Sequence, residues 1–174
     1  MDIVILFATC EGQTRKIAGF IADLAREAGH EVALVDASET MPDLAMVRAD
    51  KVILAACIHE RRHPEAFEVT LRALKDRLAR RPTLMISVSL KAAFPETLEE
   101  ARDYLTEMEM RTGFEPMEEL LVAGAVRTSS YDYFQTQIVR HVALQGQSID
   151  WDKGEQEFTD WKALERKVRE FIDR

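Results

Sequence analysis

Thr9, Gly12 and Thr14, set in the run Thr9-Cys10-Glu11-Gly12-Gln13-Thr14, are the residues whose types and spacing point most directly to chemistry. Hydroxyls at both ends can donate to phosphate oxygens without adding charge, and the glycine between them allows close backbone approach or a positive φ. Further along, His59 and His63 are groups able to relay protons near neutral pH. Between them, Arg61 and Arg62 carry guanidinium forks that suit carboxylates, and Lys91 adds a cation in a later loop. No His, Cys, Asp and Glu spacing of metal-ligand type is present, so no metal site is expected. The only cysteines are Cys10 and Cys57, too few for a disulfide scaffold.

The elements that must hold these residues can be read from periodicity. Ile3-Val4-Ile5-Leu6-Phe7 is short, apolar and rich in β-branched residues, which suits a strand buried on both faces of a parallel sheet. The polar loop after it feeds a helix with Ile17, Ile21, Leu24, Ala25 and Ala28 on one stripe and Gly29 as its stop. The loop therefore sits where a helix N-terminus, with its unpaired N–H groups, attracts an anion. Strands are expected at Glu31 to Asp36, Lys51 to Ala56, Thr83 to Val88 and Leu120 to Val126. A helix opened by Pro64 carries Phe67, Leu71, Leu74 and Leu78 on one face. Another begins at Pro95 and Glu96, with Leu98, Ala101, Leu105 and Met108 on its stripe, and ends at Gly113. The last runs from Asp160 to Ile172, with Thr159 or Asp160 as N-cap.

This alternation predicts an α/β fold, a doubly wound five-stranded parallel sheet of order 2-1-3-4-5 with ligands outside the carboxyl ends of the strands. A single domain over 1–174 is expected, with an insertion at 127–158 before the last helix. Within that insertion Tyr131, Phe134, Ile138 and Val142 have the spacing of one helix face, ending at Gly146 and followed by Trp151. Acidic residues outnumber basic ones 31 to 23, a net charge of −8, so no nucleic-acid partner is expected. The N-terminus enters a strand directly, and no apolar run approaches membrane-spanning length, which predicts a cytoplasmic chain. The anion loop lacks the Lys of a nucleoside triphosphatase P-loop, and no Gly-x-Gly-x-x-Gly of a nicotinamide dinucleotide site is present. A cofactor with one terminal phosphate fits best.

On these residues the chain resembles a known family. Ala8-Thr9-Cys10-Glu11-Gly12-Gln13-Thr14 looks like the FMN phosphate loop of the flavodoxins, written Ser/Thr-x-Thr-Gly-x-Thr, with acidic Glu11 departing at the third position. A carboxylate facing the phosphate would repel it, so Glu11 is expected to turn away and contribute its backbone. The acid-Gly-Gln-Thr version is similar to the flavodoxin-like, quinone-dependent protoporphyrinogen oxidases of bacteria. The resemblance continues in order through Ala55-Ala56-Cys57-Ile58-His59, Ala66-Phe67, Ser87-Val88-Ser89-Leu90, Ala123-Gly124-Ala125-Val126-Arg127, Tyr131-Asp132-Tyr133-Phe134 and Thr159-Asp160-Trp161. It departs at Glu60-Arg61-Arg62, where the family pattern has an aromatic and a glycine.

The resemblance implies FMN held by Thr9, Cys10, Glu11, Gly12, Gln13, Thr14, Ala56, Cys57, Ile58, Ser89, Leu90 and Lys91, a tetrapyrrole substrate, and a quinone acceptor reached by transient contact at the inner face of the cytoplasmic membrane. His59, His63 and Lys91 are weak catalytic candidates, and loop histidines of this kind are more commonly surface residues. Arg61 and Arg62 could pair with propionates, against the reading of a solvated charged loop. No Tyr or Trp is available in the loops after strands three and four to sandwich a flavin, which weighs against a simple electron carrier. The alternatives are an electron-transfer flavodoxin, favoured by the acidic charge, and an FMN-dependent NAD(P)H:quinone reductase. Cys10 and Cys57 follow neighbouring strands and can approach each other, but are expected to be incidental reduced thiols because neither has a resolving cysteine nearby in sequence.

Overall fold

The computed structural model describes residues 1–39, 48–127 and 154–174. Strand β1 (Asp2–Ala8), interior to the sheet, is buried on both sides because alternate side chains enter different cores. Ile3, Ile5 and Phe7 pack with residues of α1 (Gln13–Glu27) and α4 (Trp161–Asp173). Val4, Leu6 and Ala8 pack with α2 (Glu65–Leu78) and α3 (Leu98–Thr112) on the opposite face. An unbroken apolar run is what such a strand requires.

β2 (Glu31–Asp36), β3 (Lys51–Cys57), β4 (Thr83–Ser89) and β5 (Glu118–Ala123) complete a parallel sheet of order β2-β1-β3-β4-β5. This is the expected order. The register sets Ala8 beside Ala56, Ala56 beside Ser87 and Ser87 beside Leu121, so the loops after β1, β3 and β4 emerge at one edge.

Two sequence expectations are corrected. The fifth strand does not run on to Val126: β5 stops at Ala123, and Ala125–Val126 forms β6, paired antiparallel with β7 (Gln156–Glu157). The partners change at Gly124: its N–H still donates to Ser89 O as the last rung of the β4–β5 ladder, while its carbonyl accepts from Phe158 N beside β7. Pro95 starts a 3₁₀ turn (Pro95–Thr97), and α3 begins only at Leu98, which is 37% exposed and lies off the buried stripe. Of the two N-cap candidates it is Asp160 that caps α4, accepting from Ala163 N at 3.0 Å. The segment with Tyr131, Phe134, Ile138, Val142, Gly146 and Trp151 lies outside the described residues.

Lys51 opens β3 yet is only 7% exposed. Its ammonium donates to Phe171 O at 2.9 Å and Ile172 O at 2.7 Å, neutralising the carbonyl end of α4. Lys51→Met removes both bonds while keeping the stem, and should lower unfolding free energy by about 1–2 kcal/mol. Urea denaturation followed by circular dichroism measures it, and an unchanged midpoint would show that the α4 carbonyls need no cation.

Candidate functional site

Residues 9–12 turn the chain from β1 into α1. Thr9 Oγ1 accepts from Gly12 N at 2.9 Å, which leaves its hydroxyl proton to donate outward. Gly12 has φ of 92°, a left-handed conformation that favours glycine. A Cβ at Gly12 would also lie 3.0 Å from Arg127 Nη1. Arg127 donates to Glu11 O and pairs with Glu155 at 3.4 Å, which places a guanidinium over the loop. Glu11 itself is exposed, and it meets the loop through its backbone.

The first turn of α1 carries no negative charge or side-chain cap of its own. Among the described α-helices only α1 has neither a side-chain cap nor an acidic residue in its first turn. Thr14 is 1% exposed, and its hydroxyl has no hydrogen-bond partner among the described residues. Such an orphan is costly unless a ligand satisfies it. The residues present therefore fit a phosphate.

Gln13 plays another part. Its amide Nε2 donates to Glu157 and to Thr159 Oγ1, each at 3.0 Å, and Thr159 donates to Ala123 O at 2.7 Å. Glu157 also accepts from Lys16 Nζ at 2.6 Å and Trp161 Nε1 at 2.7 Å. Burial works against its charge, yet these hydrogen bonds hold its carboxyl below the usual range. Glu157 thus fastens the start of α1 to the segment entering α4. Arg127 and Glu157 were missed as site residues because both act across more than a hundred residues of chain, where spacing carries no signal.

The loop after β3 is a tight turn. His59 and Arg62 exchange backbone hydrogen bonds, and the two residues between them, Glu60 and Arg61, have φ of 48° and 65°. Two consecutive left-handed residues define a type I′ turn, and neither is glycine, so the turn is strained. Charged partners hold it. Arg61 pairs with Glu100 at 3.1 Å and lies over the Tyr104 ring, while Arg62 and Arg111 enclose Glu68, which is 0% exposed. Burial opposes ionisation of Glu68, but the two guanidinium groups prevail and lower its pKa.

In the loop after β4, Ser89 Oγ accepts from Ala92 N and a 3₁₀ turn covers Lys91–Ala93. Lys91 is 9% exposed and pairs with Glu100 at 2.9 Å, so Arg61 and Lys91 share one carboxylate. Phe94 packs edge-on against Phe158, with ring centroids 5.5 Å apart. Ala56 is buried, and Cys57, Ile58 and Leu90 are half-buried at the same edge, with Ile58 N donating to Val88 O.

The two histidines separate. His59 is exposed and faces Glu60 at 3.8 Å. His63 is not the surface residue expected: it is 1% exposed, bonded through Nε2 to Ser87 Oγ at 3.0 Å, with Nδ1 unpartnered among the described residues. Burial pushes its pKa down to about 4. Cys10 and Cys57 come together, with Sγ atoms 2.7 Å apart. Among the described residues, no group of three or more His, Cys, Asp or Glu is placed to hold a metal ion, and no helix is long and apolar enough to cross a membrane.

This sheet order, with an anion-ready turn after its first strand, defines a flavodoxin-type protein. A family model described as flavodoxin domain matches residues 4–149, and the chain belongs to that family. Across 172 residues, 98% of this chain and 94% of the relative, it is 27% identical to protoporphyrinogen IX dehydrogenase [quinone] of Escherichia coli strain K12. Its fold matches oxidised flavodoxin 1 from Bacillus cereus with a TM-score of 0.56 and 18% identity, covering 99% and 97% of the two chains. A Fusobacterium nucleatum flavodoxin variant bound to flavin mononucleotide matches with a TM-score of 0.53 and 16% identity, covering 99% and 93%.

The His63 environment makes a pH prediction. The unfolded chain binds a proton near pH 6.5 and the folded chain only near 4, so stability should fall as pH drops through that window, by on the order of 3 kcal/mol. Glu109, whose carboxyl burial and neighbouring Glu119 raise to about 7, slopes the opposite way over part of the range. The His63 contribution is therefore the difference between wild type and His63→Phe in urea melts at pH 4.5 and 7. Equal differences at both pH values would refute it.

Proposed function

We propose that this chain binds FMN and oxidises a porphyrinogen, passing the electrons to a quinone. The observation that carries the substrate class is that similarity to the E. coli protoporphyrinogen IX dehydrogenase spans 98% of the chain, well beyond the anion loop. The orphaned Thr14 hydroxyl and the uncapped, acid-free first turn of α1 support the cofactor.

In this reading the amides of residues 13 and 14, with the hydroxyls of Thr9 and Thr14, hold the phosphate, Gly12 shapes the turn, and Arg127 adds positive charge above the loop. Gln13 acts by fastening the turn through Glu157 and Thr159. Ala56, Cys57 and Ile58 border the ring on one side, and Ser89, Leu90 and Lys91 on the other. When bound, FMN supplies a two-electron acceptor at its ring. Neither loop, 57–63 or 89–94, contains Tyr or Trp, so a planar substrate has room beside the ring. Arg61, exposed at the rim, is the group placed to meet a propionate. His63, sealed and neutral, positions Ser87 and takes no part in proton transfer with substrate. Transient contact of the chain with the inner face of the membrane would bring the quinone.

Gly12→Ala should weaken FMN binding at least tenfold, since it strains a left-handed position and drives a methyl group towards Arg127. Quenching of FMN fluorescence on titration measures this, and wild-type affinity in the variant would remove the loop from the site. The activity is tested anaerobically with FMN-loaded protein, protoporphyrinogen IX and ubiquinone or menaquinone analogues, reading porphyrin fluorescence. Quinone-dependent formation of protoporphyrin is expected. Failure with every quinone, together with flavin bleaching by NADH or NADPH, would favour a nicotinamide-dependent quinone reductase instead.

A further inference from the structure

The loops after β1 and β3 meet at two thiols. Cys10 follows β1 by two residues, Cys57 ends β3, and the parallel register that sets Ala8 beside Ala56 delivers both side chains to one point. Their Sγ atoms lie 2.7 Å apart, so about 0.65 Å of further approach would make a disulfide of normal length. The two differ in access: Cys10 is exposed and Cys57 half-buried. We propose that Cys10 and Cys57 form a redox-active dithiol, oxidised by low-molecular-weight disulfides, whose closed form ties the anion-binding loop to the loop after β3.

The chemistry divides between the two sulfurs. The hydrogen bond with Cys57 favours a Cys10 thiolate, against its burial and the charge of Glu11, whereas that same bond and burial keep Cys57 protonated. Cys10 is therefore the attacking thiolate. It displaces one thiolate from a small disulfide and becomes a mixed disulfide with the other half. Cys57 then loses its proton and attacks Cys10 Sγ, expelling the second small thiolate. The protein loses two protons and two electrons, and one small disulfide becomes two small thiols.

These are the only cysteines in the chain, so intact mass reads the result without ambiguity. Reduced wild-type protein, with and without FMN, is equilibrated in oxidised and reduced glutathione at rising ratio, quenched with iodoacetamide and weighed. A monomer lighter by two hydrogens, carrying no alkyl group and restored by dithiothreitol, is expected. Cys57→Ser should accumulate one glutathione on Cys10, and Cys10→Ser should react at least tenfold more slowly. Both cysteines alkylated at every ratio, a stable glutathione adduct on the wild type, or a disulfide joining two copies of the chain would each overturn the proposal. The wild-type arm needs no variant to fold, and because it reads thiol mass its outcome is separate from that of the FMN and porphyrinogen experiments.

Discussion

The unsatisfied amide groups in the first turn of α1 are the constraint around which this end of the molecule is arranged. A helix must leave its first N–H groups without intrahelical partners, and most helices answer with a side-chain cap or an acidic residue. Here neither is present, and Thr14 adds a buried hydroxyl with no described partner. Such a turn depends on its surroundings to hold it. Arg127 bonding the carbonyl of Glu11 and Gln13 bonding Glu157 and Thr159 supply the holding.

That arrangement explains why segments far apart in the chain meet. β1 is buried on both faces, so its end cannot shift without disturbing two cores. Glu157, reached from α1 by Gln13 and Lys16 and from α4 by Trp161, converts the short β6–β7 pairing into a brace for the turn. On the far side, the strained turn at Glu60 and Arg61 is held by Glu68 and Glu100, two carboxylates that collect Arg62, Arg111, Arg61 and Lys91. The loops that border the proposed ring site are thus set by ion pairs to α2 and α3 as much as by the sheet.

Much of the fold was legible because burial imposes a period. The apolar run of β1, the stripes of α1 and α2 and the alternation of strands with helices each record which side faces a core, and right-handed crossovers with a polar loop after the first strand narrow the sheet order. The errors came where periodicity is silent. β5 gives way to β6 at Gly124, where the backbone exchanges Ser89 for Phe158 as its partner, and Leu98 falls on the right spacing but precedes the packed part of α3. Loop residues divide in the same way: the glycine turn at Gly12 is legible because its chemistry is local, whereas the burial of His63 against Ser87 leaves no mark on the spacing of its loop.

The amino-acid sequence by itself determined the order of elements, the anion-seeking turn after β1 and the family, since these follow from residue types at short separations. Only the tertiary structure decided that Arg127 lies over Gly12, that Glu157 holds Gln13, and that His63 is sealed and neutral. Each of those depends on strand register and on chain segments brought together by core packing, and side-chain identity along the chain carries no record of such distances.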